Sequence, residues 1–158
     1  MAVEAEMTFR RILFATDFSP ASRAAFRVAV QLARRERGRL VIAHVLPSVV
    51  SLGVETYVSA RMYEEMETSA RRWAQKRLDS LVEQARRSRV AARTVLLAGA
   101  ADEGVSSAAA KERADLIVIG THGRTGLERV FMGSVAARII GTAPCPVLTI
   151  RPRRSSKR

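Results

Sequence analysis

The sequence predicts an α/β protein, a single domain built on an open parallel sheet with helices on both faces. Three observations predict it. Five short apolar-rich runs alternate with segments whose apolar residues recur at helical spacing. The runs carry little polar alternation, as expected of strands covered on both faces. The two loops richest in unusual residues, "TDFSP" and "GTHGRTGLERVFMGS", follow the first and fourth runs. In an open parallel sheet, ligands bind beyond the carboxyl ends of the strands, where neighbouring connections diverge to opposite faces. If the first and fourth strands are neighbours, both loops line one crevice.

The elements follow in order. "RILFAT" (11–16) is the first strand. Ser19 then Pro20 makes a good helix start, and Ala25, Val28, Ala29 and Leu32 mark one apolar face. Arg34, Arg35 and Arg37 suit the last turn, and Gly38 is the expected stop. "RLVIAHVL" (39–46) is the second strand. From Pro47 to about Ala60 the pattern breaks. Met62, Met66, Trp73, Leu78, Val82 and Ala85 then define a long amphipathic helix, with Trp73 expected in the core. "VAARTVLLAG" (90–99) is the third strand, and "ADEGVSSAAAKERA" a short helix. "DLIVIG" (115–120) is the fourth strand. "SVAARII" is a helix with Gly141 as its expected stop, and "CPVLTI" (145–150) is the fifth strand. The domain is read as residues 9–151, followed by a basic, disordered tail at 152–158.

At 158 residues the chain suits one domain with a real core. The composition, 47% hydrophobic and 27% charged, is that of a soluble globular protein. No run is long enough to cross a membrane, and the N-terminus has no apolar signal core. The expected location is therefore cytoplasmic. One cysteine, Cys145, excludes an internal disulfide framework and any multi-cysteine metal site; it reads as an inert thiol. The formal charge is +12. Arg151, Arg153, Arg154, Lys157 and Arg158 supply part of it from the last eight residues, and only Lys76, Lys111 and Lys157 are lysines. The bland reading is a solvated basic surface with a loose tail, and a nucleic-acid partner is the less favoured reading.

The fourth loop carries four glycines in fifteen residues. Glycines after a strand and before a helix favour a phosphate cradle, since converging N–H groups and the helix dipole both attract an anion. Ser134 and Val135 stand where the last helix begins and offer unpaired amides. The spacing is G-x2-G-x9-G-S, through Gly120, Gly123, Gly133 and Ser134. It matches neither G-x-x-x-x-G-K-[ST] nor G-x-G-x-x-G.

That spacing, in that place, resembles the ATP-binding branch of the universal stress protein family. "ILFATDFSPAS", "VIAHVL", "ADLIVIGTHGRTGLERVFMGSVAARII" and "APCPVLTIRP" carry the resemblance over nearly the whole chain. It implies a sheet in strand order 3-2-1-4-5. It implies that Ala15, Thr16 and Asp17 border the ribose and adenine end of a nucleotide, and that Ala43 lines the adenine site with His44 close by. It further implies that Gly120, Thr121, Gly123, Gly133, Ser134 and Val135 surround the ribose and phosphates. Arg124 is added as a fork that can reach phosphate oxygens. The ligand so implied is ATP, with Mg²⁺ carried on its phosphates. The function implied is that of a nucleotide-dependent sensor or regulator of the stress response, acting through a protein partner that the sequence does not name. A homodimer through the last strand (145–150) is expected, because a short apolar edge invites pairing. No catalytic constellation emerges, so a slow ATPase or self-phosphorylating enzyme is the alternative. His44 reads as packing, and His122 faces either phosphate or solvent.

Overall fold

The computed structural model describes residues 7–48, 59–121 and 133–151. Strands β1 (Arg11–Ala15), β2 (Arg39–Leu46), β3 (Ala91–Ala98), β4 (Leu116–Gly120) and β5 (Val147–Ile150) alternate with four helices. These are α1 (Pro20–Arg35), α2 (Ala60–Arg87), α3 (Ala101–Lys111) and α4 (Ser134–Thr142). The sheet runs β3-β2-β1-β4-β5 with every pair parallel. The fold class and strand order are thus those expected of the sequence.

The apolar strands are explained by burial on two faces. Ile12, Phe14, Leu40, Ile42 and Val118 pack against α1 and α2 through Ala25, Phe26, Leu78 and Val82. Leu13, Val41, Ala43, Ile117 and Ile119 face α3 and α4 through Val105, Ala108 and Ile139. Alternation along each strand therefore divides large side chains between two cores rather than between core and water. Phe14 is fully buried and its ring lies 5.4 Å from that of Phe26. Burying such a side chain contributes roughly 1.5–3 kcal/mol.

Asp115 ties the start of β4 to the start of β1. Its carboxylate accepts from the amides of Arg10 (3.1 Å) and Arg11 (2.9 Å), and from the Arg11 guanidinium at 2.6 Å.

Helix ends follow local chemistry. Ser19 Oγ accepts from Ser22 N at 3.2 Å, with Pro20 in the first helical position. Ser59 caps α2 through Met62 N at 3.3 Å. At their C-termini α1, α2 and α3 use the same device. The amides of Gly38, Val90 and Ala114 reach back to the carbonyls of Ala33, Ala85 and Ala109, at 2.8, 3.0 and 2.8 Å. The residue before each is left-handed, and in all three helices it is arginine: Arg37 (φ 51°), Arg89 (φ 60°) and Arg113 (φ 51°). Glycine is the usual occupant of that position, and a side chain there costs about 1 kcal/mol.

Three local expectations are revised. Gly38 is not the left-handed residue that stops α1; it is glycine because a Cβ there would meet the Arg10 carbonyl oxygen at 2.7 Å. Helix α4 continues through Gly141 to Thr142. Trp73 is 45% exposed, with its ring perpendicular to that of Phe18 and 4.9 Å from the Arg77 guanidinium. Among the described residues no helix is long and apolar enough to cross a membrane. The tail (152–158) lies outside the described residues.

Candidate functional site

Parallel strands end at one pole. Beyond β1 the chain crosses to the α1 face, and beyond β4 it goes on to α4 on the other face. A cavity of about 380 Å³ opens between these diverging connections. Ala15, Thr16 and Asp17 line it from the end of β1, and Ala43, His44 and Val45 from β2. Ile119, Gly120 and Thr121 contribute from β4, and Gly133, Ser134 and Val135 from the start of α4. Gly123 and Arg124, like His122, lie outside the described residues. The remaining nine residues read from the sequence are therefore brought to one hollow.

The β1 wall is rigid because each polar group is tied down. Thr16 N donates to the Ala43 carbonyl at 2.9 Å. Thr16 Oγ1 accepts from Phe18 N at 3.0 Å and shares a hydrogen bond with Ser22 Oγ at 2.9 Å. Asp17 Oδ1 accepts from Ser19 N at 3.0 Å, so the carboxylate is held in a local turn while the residue stays half-buried at the cavity wall. His44 lies 2.7 Å from the Thr16 carbonyl through Nδ1, which fixes the proton on Nδ1 because a carbonyl can only accept. Its ring packs against Phe18 in a tilted arrangement, 4.4 Å between centroids and 39° between planes. The packing role read for His44 is thus more specific: it braces the backbone that presents Asp17. Phe18 is itself left-handed, at φ 63°. The sequence offered no sign of that strain, which arises where the chain leaves β1 and turns into α1.

The α4 wall offers donors. Gly133 is the N-cap residue and brings no side chain, so no side-chain bond closes this end of the helix. The first amides of α4 therefore stand at the cavity with the positive end of the helix dipole behind them. Gly133 N donates to the Thr121 carbonyl at 2.8 Å, and Thr121 N to the Ile150 carbonyl at 3.0 Å, which docks the start of α4 onto the end of the sheet. Gly120 owes its missing side chain to a different neighbour. A Cβ there would lie 3.0 Å from the Ala21 carbonyl carbon and 3.1 Å from Ser22 N, so glycine lets the first turn of α1 sit over β4.

Asp17 is the only carboxylate among the described residues of the lining, and no described arginine or lysine joins it. The cavity thus joins an apolar floor, one carboxylate at the β1 side and a row of amide donors at the α4 side. It can hold an elongated ligand that is apolar and hydroxylated at one end and anionic at the other.

Comparison with known proteins agrees with this fold. A universal stress protein of Methanocaldococcus jannaschii is 32% identical over 146 residues, covering 92% of this chain and 84% of its own. The universal stress protein YxiE of Bacillus subtilis is 31% identical, covering 90% and 99%. Among solved structures, hypothetical protein MJ0577 superposes with a TM-score of 0.82 at 22% identity, over 94% of this chain and 99% of its own. A universal stress protein from Archaeoglobus fulgidus, solved in complex with dAMP, gives 0.62 at 24% identity, over 91% and 99%. A family protein from Arabidopsis thaliana with AMP bound gives 0.65 at 19% identity, over 94% and 95%. The universal stress protein family model matches residues 8–151, nearly the whole of the described chain. The chain belongs to the universal stress protein family.

Proposed function

We propose that the cavity binds an adenine nucleotide, ATP with Mg²⁺ carried on its phosphates, and that the protein is a nucleotide-dependent regulator of the stress response. The observation that carries this reading is the open start of α4 facing Asp17 across one hollow. Its volume lies within the range of small-ligand sites. The two relatives solved with dAMP and AMP support the adenylate end. On this reading the amides of Ser134 and Val135 receive phosphate oxygens. Asp17, whose Oδ1 is engaged by Ser19 N, keeps Oδ2 for a ribose hydroxyl. Ala15, Thr16 and Ala43 supply the wall against the base, while Gly120, Thr121 and Gly133 flank the sugar and phosphates. Gly123 and Arg124, both outside the described residues, extend the phosphate side. Bound Mg²⁺ supplies charge neutralisation on the phosphates.

Calorimetric titration of ATP and pyrophosphate tests the assignment. Gly133→Val should abolish ATP binding while the fold survives, because a β-branched side chain enters the anion's space. Ser134→Ala keeps the amide but removes one hydroxyl contact, and should weaken ATP about five- to thirtyfold, the equivalent of roughly 1–2 kcal/mol. Asp17→Ala should weaken ATP and leave pyrophosphate nearly unchanged. Normal ATP binding by a folded Gly133→Val protein would overturn the site. Single-turnover hydrolysis of labelled ATP separates this regulator from the slow ATPase alternative. We further propose a cytoplasmic homodimer joined through the last strand.

A further inference from the structure

The sheet has a second pole, at the amino ends of the strands and opposite the cavity. In a parallel fold every helix ends there and every strand begins there, so residues scattered along the chain are gathered. Arg10 precedes β1 and Arg39 opens β2; together with Arg37 they line one shallow hollow beside Gly38 and Ala91. Arg89 lies two residues before Ala91 at the start of β3, and Arg113 two residues before Asp115 at the start of β4. All five arginines are exposed, and no carboxylate among the described residues pairs with any of them. Of the neighbouring acids, Asp115 is engaged by Arg11 and Glu112 by Arg93, which leaves Glu36, the C-cap residue of α1, as the carboxylate set against five arginines.

Three of the five carry a second peculiarity. Arg37, Arg89 and Arg113 occupy the left-handed closing position of α1, α2 and α3, where glycine is favoured. Helix closure explains a left-handed residue at each site. The helix dipole favours a cation at each C-terminus; the parallel topology then brings all three, from both faces of the sheet, to one pole. This sets three guanidinium groups in turns, level with the strand starts. The sequence alone reads the charge of this chain as a solvated surface; the fold concentrates it.

We propose that this pole docks double-stranded nucleic acid through its phosphates, without reading sequence. The chemistry favours that partner. Guanidinium forks match phosphate oxygens in pairs, and the cluster is arginine throughout. Four neighbouring strands from β3 to β4 span about 14 Å, a length over which a duplex presents about eight charges. The hollow holds no aromatic side chain on which a single-stranded base would stack, and no large apolar side chain to enter a lipid surface. The contacts are made from turns rather than from a projecting helix, so no element enters a groove to read bases.

The test measures binding of a mixed-sequence 20-base-pair duplex by fluorescence anisotropy, on the full chain, between 50 and 200 mM salt. The variant Arg37→Gly/Arg89→Gly/Arg113→Gly removes three charges by installing the residue that the backbone prefers, so its thermal midpoint should match or exceed the wild type. Its log–log salt slope should fall by about 2.7, and binding at 50 mM should weaken by tenfold or more. Arg→Lys at the same three positions should keep most of the slope. Arg10→Gln/Arg39→Gln provides an independent pair that leaves the helix ends untouched and should lose about 1.8. ATP titrations should be unchanged in every variant. Three results would each overturn the proposal: no duplex binding by wild type at 50 mM salt; glycine and glutamine variants that bind with the wild-type slope, which assigns the affinity to charges elsewhere in the chain; or sedimentation with phosphatidylserine vesicles that excess duplex fails to reverse.

Discussion

The Asp115 carboxylate accepts two backbone amides and the Arg11 guanidinium, and these bonds hold its pKa below the usual carboxylate range. The side-chain bond from Arg11 is the largest cause, partly opposed by burial. A depressed folded-state pKa stabilises the protein above the ordinary carboxylate value near 4. That contribution is lost as pH falls through the depressed value. Asp115→Asn should therefore lower the urea midpoint at pH 6, and the gap to wild type should narrow steadily toward pH 3. A gap of constant size across that range would assign the effect to lost shape rather than charge. Cys145 is displaced the other way: burial, then the charge of Asp115, pushes its thiol up. It should react with iodoacetamide at pH 7.5 at least several-fold more slowly than free cysteine.

At the scale of elements, β5 is one of the two edge strands of the sheet, with β3 at the other side. It pairs with β4 alone, and all four of its residues are half-buried. The proposed dimer covers its outer edge. Val147→Pro should weaken association at least tenfold in sedimentation at micromolar concentration, since proline removes a ladder donor. The strands were the most legible part of the sequence, because burial on both faces forces continuous apolar runs with little competing signal. Helix ends were less so. Gly38 carries the stop signal of α1, yet the left-handed turn belongs to Arg37, and only the approach of the Arg10 backbone explains the glycine. Trp73 has the right spacing for the core, but the first half of α2 extends beyond the sheet and leaves it half in water. Periodicity tells which way a side chain faces and not whether anything stands opposite.

For the whole molecule, the gathering of Ala15–Asp17 and Gly133–Val135 into one hollow was legible only through the family resemblance. The strand order decides it, and no local pattern encodes strand order. The His44 brace and the arginine pole were illegible for the same reason: each is made by residues far apart in the chain. A ligand that binds only the folded state raises stability by mass action. Saturation of the proposed site with ATP at a hundred times its Kd should add about 2.7 kcal/mol. The thermal midpoint should then rise by roughly 5–10 °C, read by scanning calorimetry with and without nucleotide. The Gly133→Val protein should show no rise.

Strand β1 pairs with β2 on one edge and with β4 on the other. The first partner follows soon after it in the chain, whereas Arg11 and Asp115 are 104 residues apart. On the ribosome, at about 5–20 residues per second, the second edge of Ile12, Leu13 and Phe14 waits roughly 5–20 s for its neighbour. During that interval the nascent chain holds an apolar strand edge, which is a template for mispairing with another chain. The crevice forms only when that seam closes. The seam that waits for the late half of the chain is thus the one that borders the proposed site, and a nucleotide bound there would hold shut the join between the early and late halves of the chain.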